Sequence, residues 1–242
     1  MPVLGLGVWQ MGAGTETEQA VEWALETGYR HIDTATMYRN EQSVGAAIER
    51  SGLQRSDVFV TTKLLPRHGS AERELRKSLD KLKLDYVDLY LIHWPIPLVT
   101  TRCWRQLESL QERGLAREIG VSNFGSGLLE SLRKDGLTTP AVNQVHYSVF
   151  RHRSQPVDYL REHDIVLEAY SPLERGRVDH PTIAGIASDL DRTPAQIMLR
   201  WAIQHDAVVI PKSSRKERIE SNTQVFDFVL DDRQMEELDA LD

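Results

Sequence analysis

Eight short apolar runs, bounded by turn residues and alternating with helical patterns, constrain this chain more than any other feature. The runs are Val3–Val8, Tyr29–Asp33, Val58–Lys63, Val87–His93, Ala116–Val121, Ala141–Val145, Val166–Tyr170 and Ala207–Ile210. Between them lie helices with readable starts. Thr15 with Glu18 forms a capping-box pattern ahead of Ala20, Val21 and Ala24. Ser70 precedes Ala71–Leu82, where Leu75, Leu79 and Leu82 fall on one helical face. Thr193-Pro194 opens a helix over Ala195–Gln204, with proline at the first helical position. Strict strand–helix alternation implies a parallel sheet, and eight units predict a closed (β/α)8 TIM barrel. The competing architecture is an open doubly wound sheet, whose fingerprint is G-x-G-x-x-G. Gly5-Leu6-Gly7 begins such a motif, but Gln10 stands at the third glycine position, so these glycines read as a tight strand end.

The 242 residues contain no Pro/Gly/Ser-rich linker and no low-complexity stretch, so one domain over residues 1–242 is expected. The net charge of −7 argues against binding nucleic acid through phosphate contacts. No apolar run is long enough to span a membrane, and the N-terminus lacks a basic-then-apolar signal pattern. A single cysteine, Cys103, precludes an internal disulfide and fits a reducing, cytoplasmic setting. Its expected role is helix packing.

Proton-handling groups collect at the C-terminal ends of three predicted strands. In a parallel barrel that rim is where active sites are built. Asp33 ends the second strand, with Tyr38 five residues on; Lys63 ends the third and His93 the fourth. Each has an ordinary reading alone: a turn cap, a loop aromatic, a solvated lysine, a hydrogen-bonded core histidine. Together they form a machine for carbonyl reduction. A phenol is a weak acid near neutrality, with a reference pKa of about 10. An adjacent ammonium lowers it. Lys63 supplies that ammonium, Asp33 holds it, and a neutral His93 hydrogen-bonds the substrate oxygen. The eight histidines show no H-x-x-x-H spacing, C-x-x-C is absent, and no G-x-S-x-G marks a serine nucleophile.

Other rim residues suit a cofactor. Ser122 and Asn123 follow the fifth strand, and Asn143-Gln144 ends the sixth; such side chains can pair both edges of a carboxamide. Tyr170, after the seventh strand, could stack on a flat heterocycle. After the eighth, Lys212, Arg215, Lys216 and Arg218 gather beside Ser213 and Ser214 at a helix start. That is the usual phosphate corner of a barrel.

These motifs resemble the aldo-keto reductase superfamily almost end to end. The likeness runs through Gly5-Leu6-Gly7-Val8-Trp9, His31–Glu41, Lys63, Leu91-Ile92-His93-Trp94-Pro95, Gly120-Val121-Ser122-Asn123-Phe124, Asn143-Gln144, Tyr170-Ser171-Pro172-Leu173 and Ile210-Pro211-Lys212-Ser213. It is strongest to small bacterial, diketogluconate-reductase-like members. The resemblance implies a catalytic tetrad of Asp33, Tyr38, Lys63 and His93, with Tyr38 as proton donor. It implies NADPH bound extended, without a Rossmann domain. Ser122, Asn123 and Gln144 would hold the carboxamide, Tyr170 would stack on the nicotinamide, and Ser171 and Leu173 would join in binding the cofactor. Lys212, Ser213 and Arg218 would take the 2′-phosphate, with Asn222 near the adenine. Trp9, Met37 and Trp94 would line the pocket of a small carbonyl substrate, in a protein expected to act as a monomer.

Members of the superfamily usually carry a hairpin that plugs the barrel bottom; this chain starts at its first strand, so a barrel without the plug is expected. The short loop Pro95–Thr101 and the short segment after the seventh strand imply an open pocket. Two other classes stay open at this point. A nucleotide-sensing regulatory subunit could use the same barrel with slow turnover. A phosphosugar isomerase or aldolase could use Lys63 through a Schiff base.

Overall fold

A computed structural model of the chain describes residues 1–66, 69–97 and 99–242. The eight expected strands form in order: β1 (Leu6–Gly7), β2 (His31–Asp33), β3 (Phe59–Leu64), β4 (Val87–Ile92), β5 (Ala116–Ser122), β6 (Val142–His146), β7 (Val166–Tyr170) and β8 (Val208–Val209). They pair in sequence order and every pairing is parallel. A parallel bridge between Leu4 and Val209 closes the ring, with Gly5 N–H donating to the Val209 carbonyl at 2.9 Å. The expected (β/α)8 barrel is therefore the fold. The strands are shorter at the β1–β8 seam than the apolar runs predicted, because only two residues of each keep regular pairing there.

Ten helices occur among the described residues: α1 (Thr15–Glu26), α2 (Glu41–Arg50), α3 (Ala71–Leu82), α4 (Thr100–Glu112), α5 (Ser126–Lys134), α6 (Val157–Glu162), α7 (Pro181–Asp189), α8 (Pro194–Gln204), α9 (Lys216–Thr223) and α10 (Asp232–Asp239). Ser70 caps α3, accepting from Arg73 N–H at 3.4 Å, and Thr193 with Gln196 closes a reciprocal capping box on α8. The expected box at Thr15 does not form. Gly14 is the cap, at φ 88°, and Thr15 is already helical. Gly14 N–H instead donates to Ser43 Oγ of α2 at 2.7 Å, and Gly12 N–H to Glu16 at 2.7 Å. A tertiary contact has replaced the local one, because α1 and α2 pack side by side.

Side chains alternate along a strand, so residues two apart share the barrel interior. The inward set includes His31 and Asp33; Phe59, Thr61 and Lys63; Leu89 and Leu91; and Gln144 and Glu168. Toward the bottom, Leu89, Leu91 and Val142 form their own buried cluster with Phe59 and Ala141. His31 fits this lumen because Gly5, just ahead of β1, lies against it. A Cβ on Gly5 would lie 2.6 Å from His31 Nδ1, and one on Gly7 would lie 2.7 Å from the Ile210 carbonyl. These glycines thus serve close approach across the barrel seam rather than a tight strand end. Phe59 and Ala141, packed against that cluster, keep partial exposure.

Residue 98, within the loop 95–101 read as short, lies outside the described residues, as do 67 and 68. No helix among the described residues is long and apolar enough to cross a membrane. Cys103 is buried in α4, and burial pushes its thiol up to about 12, which fits packing and not reactivity.

Candidate active site

The chain leaves β2 at Asp33 and turns through Thr36–Tyr38, a single tight helical turn ended by Arg39 at φ 61°. Two anchors fix that turn. Thr36 Oγ1 donates to the Lys63 carbonyl at 2.8 Å. Asn40, fully buried, accepts from Thr34 Oγ1 at 2.9 Å and donates to the Val8 carbonyl at 2.9 Å. Tyr38 is thereby held over the mouth of the barrel, half-buried.

Lys63 lies beneath it with no exposure. Its ammonium donates to Asp33 Oδ1 at 2.6 Å, to the Thr34 carbonyl at 2.9 Å and to Tyr38 Oη at 3.3 Å. A buried charge is tolerated only when paired and hydrogen-bonded, and here all three ammonium protons have acceptors. Burial works against the charge on Lys63, but Asp33 and Tyr38 outweigh it, so the lysine pKa is raised and the group stays charged. Because Lys63 is the donor, Tyr38 Oη accepts. The phenol's own proton is then directed away from Lys63.

The sequence reading expected Lys63 to lower the Tyr38 pKa. Lys63 does act in that direction, but burial is the larger effect and the net shift is upward. Tyr38 is thus held as a phenol in this state, and Lys63 offsets part of the cost of forming phenolate. His93 follows β4, with its ring edge-on to Tyr38 at a centroid distance of 5.5 Å. Burial, then the Lys63 charge, pushes His93 down to about 3, so it is neutral at pH 7, as the sequence reading required. The structure brings all four predicted rim residues together.

The proposed cofactor residues divide into two groups on the same rim. Ser122 and Gln144 are register partners across β5 and β6 and both are buried. Asn123, left-handed at φ 63°, donates to Ser122 Oγ at 2.9 Å and to the His93 carbonyl at 3.3 Å. Tyr170 Oη donates to Asn123 Oδ1 at 2.9 Å. One face of Tyr170 stacks on His146 at 5.4 Å. Ser171 and Leu173 continue this wall in the loop after β7, with Ser171 at φ 51°. At the far end, Lys212 and Arg218 are exposed, and Ser213 and Asn222 are buried. Ion pairs within this cluster are long, 3.9 Å from Lys212 to Glu16 and 4.0 Å from Lys216 to Glu220, and solvent-exposed. Such pairs are weak, which leaves the cations available to an anion.

Trp9, Met37 and Trp94 stand around the mouth at 38, 51 and 53% exposure, an amount of bare apolar surface that suits a pocket wall. Arg175, in the loop after β7, lies over the Trp9 ring at 5.1 Å. No group of three or more metal-binding side chains occurs among the described residues.

Sequence reasoning missed three elements of this site. Glu168 and His31, both fully buried, extend the polar network below Asp33. Glu174 accepts from Ser148 Oγ at 2.6 Å and lies 2.7 Å from His146 Nε2, steadying the ring behind Tyr170. A signal for Glu168 was present: a carboxylate in the middle of the apolar run Val166–Tyr170 has no place in an ordinary buried strand. Nothing in the local sequence pairs His146 with Glu174, because the contact crosses from β6 to the loop after β7.

The comparisons with known proteins agree with this geometry. The sequence profile of the Aldo/keto reductase family matches residues 3–242. An aldo-keto reductase of Mycolicibacterium vanbaalenii is 48% identical over 248 residues, spanning 100% of this chain and 88% of the relative. Glyoxal reductase of Bacillus subtilis is 43% identical, spanning 100% of this chain and 89% of its own length. The crystal structure of an aldo/keto reductase from Brucella melitensis superposes with a TM-score of 0.95 at 43% identity, covering 100% of this chain and 95% of that one. From its barrel rim to its sequence profile, this chain belongs to the aldo/keto reductase family.

Proposed function

We propose that this protein is an NADPH-dependent reductase of aldehydes and ketones, with small carbonyl, dicarbonyl or keto-sugar compounds as its substrate class, working as a single-domain monomer in the cytoplasm. The observation that carries the reading is the fully buried Lys63, its three protons shared among Asp33, Thr34 and Tyr38 directly beneath the barrel mouth. The relative named glyoxal reductase supports the small-carbonyl class.

The donor set fits a nicotinamide dinucleotide. Ser122, Asn123 and Gln144 offer the amide and hydroxyl groups a carboxamide needs, and Tyr170 offers an aromatic face. Lys212, Ser213, Arg218 and Asn222 would take the 2′-phosphate and adenine end, which favours NADPH over NADH. When bound, the cofactor supplies a hydride to the carbonyl carbon. The chain's own residues do the rest. His93, neutral, hydrogen-bonds the carbonyl oxygen and aims it at Tyr38. Tyr38 gives its proton to that oxygen as the carbon becomes an alcohol carbon, and Lys63 stabilises the phenolate that remains. Asp33 holds Lys63 in place, and solvent at the open mouth returns the proton to Tyr38. General acid catalysis of this kind contributes about 10²- to 10⁴-fold.

The test is NADPH oxidation against aldehydes, α-dicarbonyls and keto-sugars, with NADH in parallel. Turnover with a preference for NADPH is expected. Binding of NADPH without turnover across the panel would favour a nucleotide-sensing role instead.

A further inference from the structure

Below the rim, Glu168 occupies the barrel interior with no exposure and no part in the proton transfer described above. It is the register partner of Gln144 across β6 and β7. Gln144 Nε2 donates to Glu168 Oε2 at 2.8 Å and to Asp33 Oδ2 at 2.9 Å. Both N–H groups of this buried amide therefore end on carboxyl oxygens. Turning the amide over would set its oxygen against the Asp33 carboxylate, so the network admits one orientation. The nitrogen faces the lumen, and the oxygen is left for a ligand at the rim.

We propose that Glu168 is a positioning residue of the dinucleotide site, holding the Gln144 amide so that its oxygen accepts from the nicotinamide carboxamide. This role rests on the reductase reading of the rim.

The surroundings of Glu168 suit an uncharged acceptor. Its Oε1 has no hydrogen-bond partner among the described residues, and His31 Nε2 lies 3.6 Å away. His31 is itself held neutral: burial, then the Lys63 charge, pushes it down to about 3, and its Nε2 pairs with Thr61 Oγ1 at 3.0 Å. Burial, then the nearby Asp33 charge, pushes Glu168 up to about 8, and the Gln144 hydrogen bond and then the Lys63 ammonium oppose this only in part. A neutral carboxyl still accepts from Gln144 through its carbonyl oxygen. Removing that acceptor leaves a buried N–H unpaired, a cost relieved only if Gln144 leaves its position.

The experiment compares wild type, Glu168→Gln and Glu168→Leu for binding of two ligands. NADPH carries the nicotinamide; 2′-phospho-ADP-ribose lacks it. In Glu168→Leu, NADPH should weaken by about tenfold while 2′-phospho-ADP-ribose binds as before. Glu168→Gln keeps an acceptor oxygen at the same place and should stay within about threefold of wild type for both. An unchanged ratio of the two affinities in Glu168→Leu would overturn the role of Glu168 alone. Failure of wild type to bind either ligand would overturn the nucleotide site and this role with it. Should Glu168→Leu not fold, infrared difference spectra of wild type decide. The carboxyl or carboxylate band that is missing in Glu168→Gln should shift with NADP⁺ but not with 2′-phospho-ADP-ribose. Absence of that shift in wild type would contradict the proposal.

Discussion

At the scale of single residues, the site is governed by burial acting against pairing. Lys63 retains its charge in the interior only because Asp33 and two other acceptors surround it. Removing one partner of a buried pair typically costs about 3–5 kcal/mol. Asp33→Asn should therefore lower the melting temperature as well as turnover, a double loss that thermal melts and kinetics on one preparation will show. Two histidines, His31 and His93, set an acid limit. His31 and His93 are each held near 3, well below the ordinary value, so the unfolded chain binds protons there first. Stability is then lost as pH falls from about 6.5 toward 3, and His93→Asn should flatten part of that decline in a pH series of melts. Asp33, Lys63 and His93 were legible because each closes an apolar run in the sequence, and Tyr38 because it follows Asp33 by five residues. The net upward shift of Tyr38 was not, since it depends on how much protein covers the ring. Glu168 was passed over because its partners, Gln144 and Asp33, lie 24 and 111 residues apart from it or from each other in sequence and meet only when the barrel closes.

At the scale of elements, close packing between helices depends on small residues in particular places. Gly45 of α2 faces the C-terminus of α3, where an added Cβ would lie 2.3 Å from the Leu82 carbonyl. Backbone cannot swing aside as a side chain can, so Gly45→Ala should destabilise by about 1–3 kcal/mol although alanine is the better helix former. Denaturant titration checks the sign: a more stable variant would mean α2 is free to move. Strand and helix order could be read from the apolar runs because period and length agree along the whole chain. The start of α1 could not. Thr15 and Glu18 satisfy a local capping rule, yet Ser43 of α2 captures Gly14, and a contact 29 residues away decides where the helix begins.

For the molecule as a whole, the barrel gathers the residues of two proposed chemistries on one rim. The proton-transfer set lies at the ends of β2, β3 and β4, and the cationic corner follows β8. The net charge of −7 makes that corner stand out as the place for a phosphate. Arg218→Ala should weaken NADPH about tenfold or more and leave NADH almost unchanged, since charge-assisted bonds to phosphate contribute about 1.5–3 kcal/mol. Parallel fluorescence titrations with both nucleotides measure this, and equal losses would remove Arg218 from the phosphate site. The central claim is that this rim reduces carbonyls through Tyr38, and the most direct test is the turnover of Tyr38→Phe with NADPH and a small dicarbonyl, measured beside its NADPH affinity. The phenyl ring keeps the packing and removes only the proton. The account predicts a loss of at least about 10²-fold in turnover with nucleotide binding unchanged. Turnover close to wild type would contradict it.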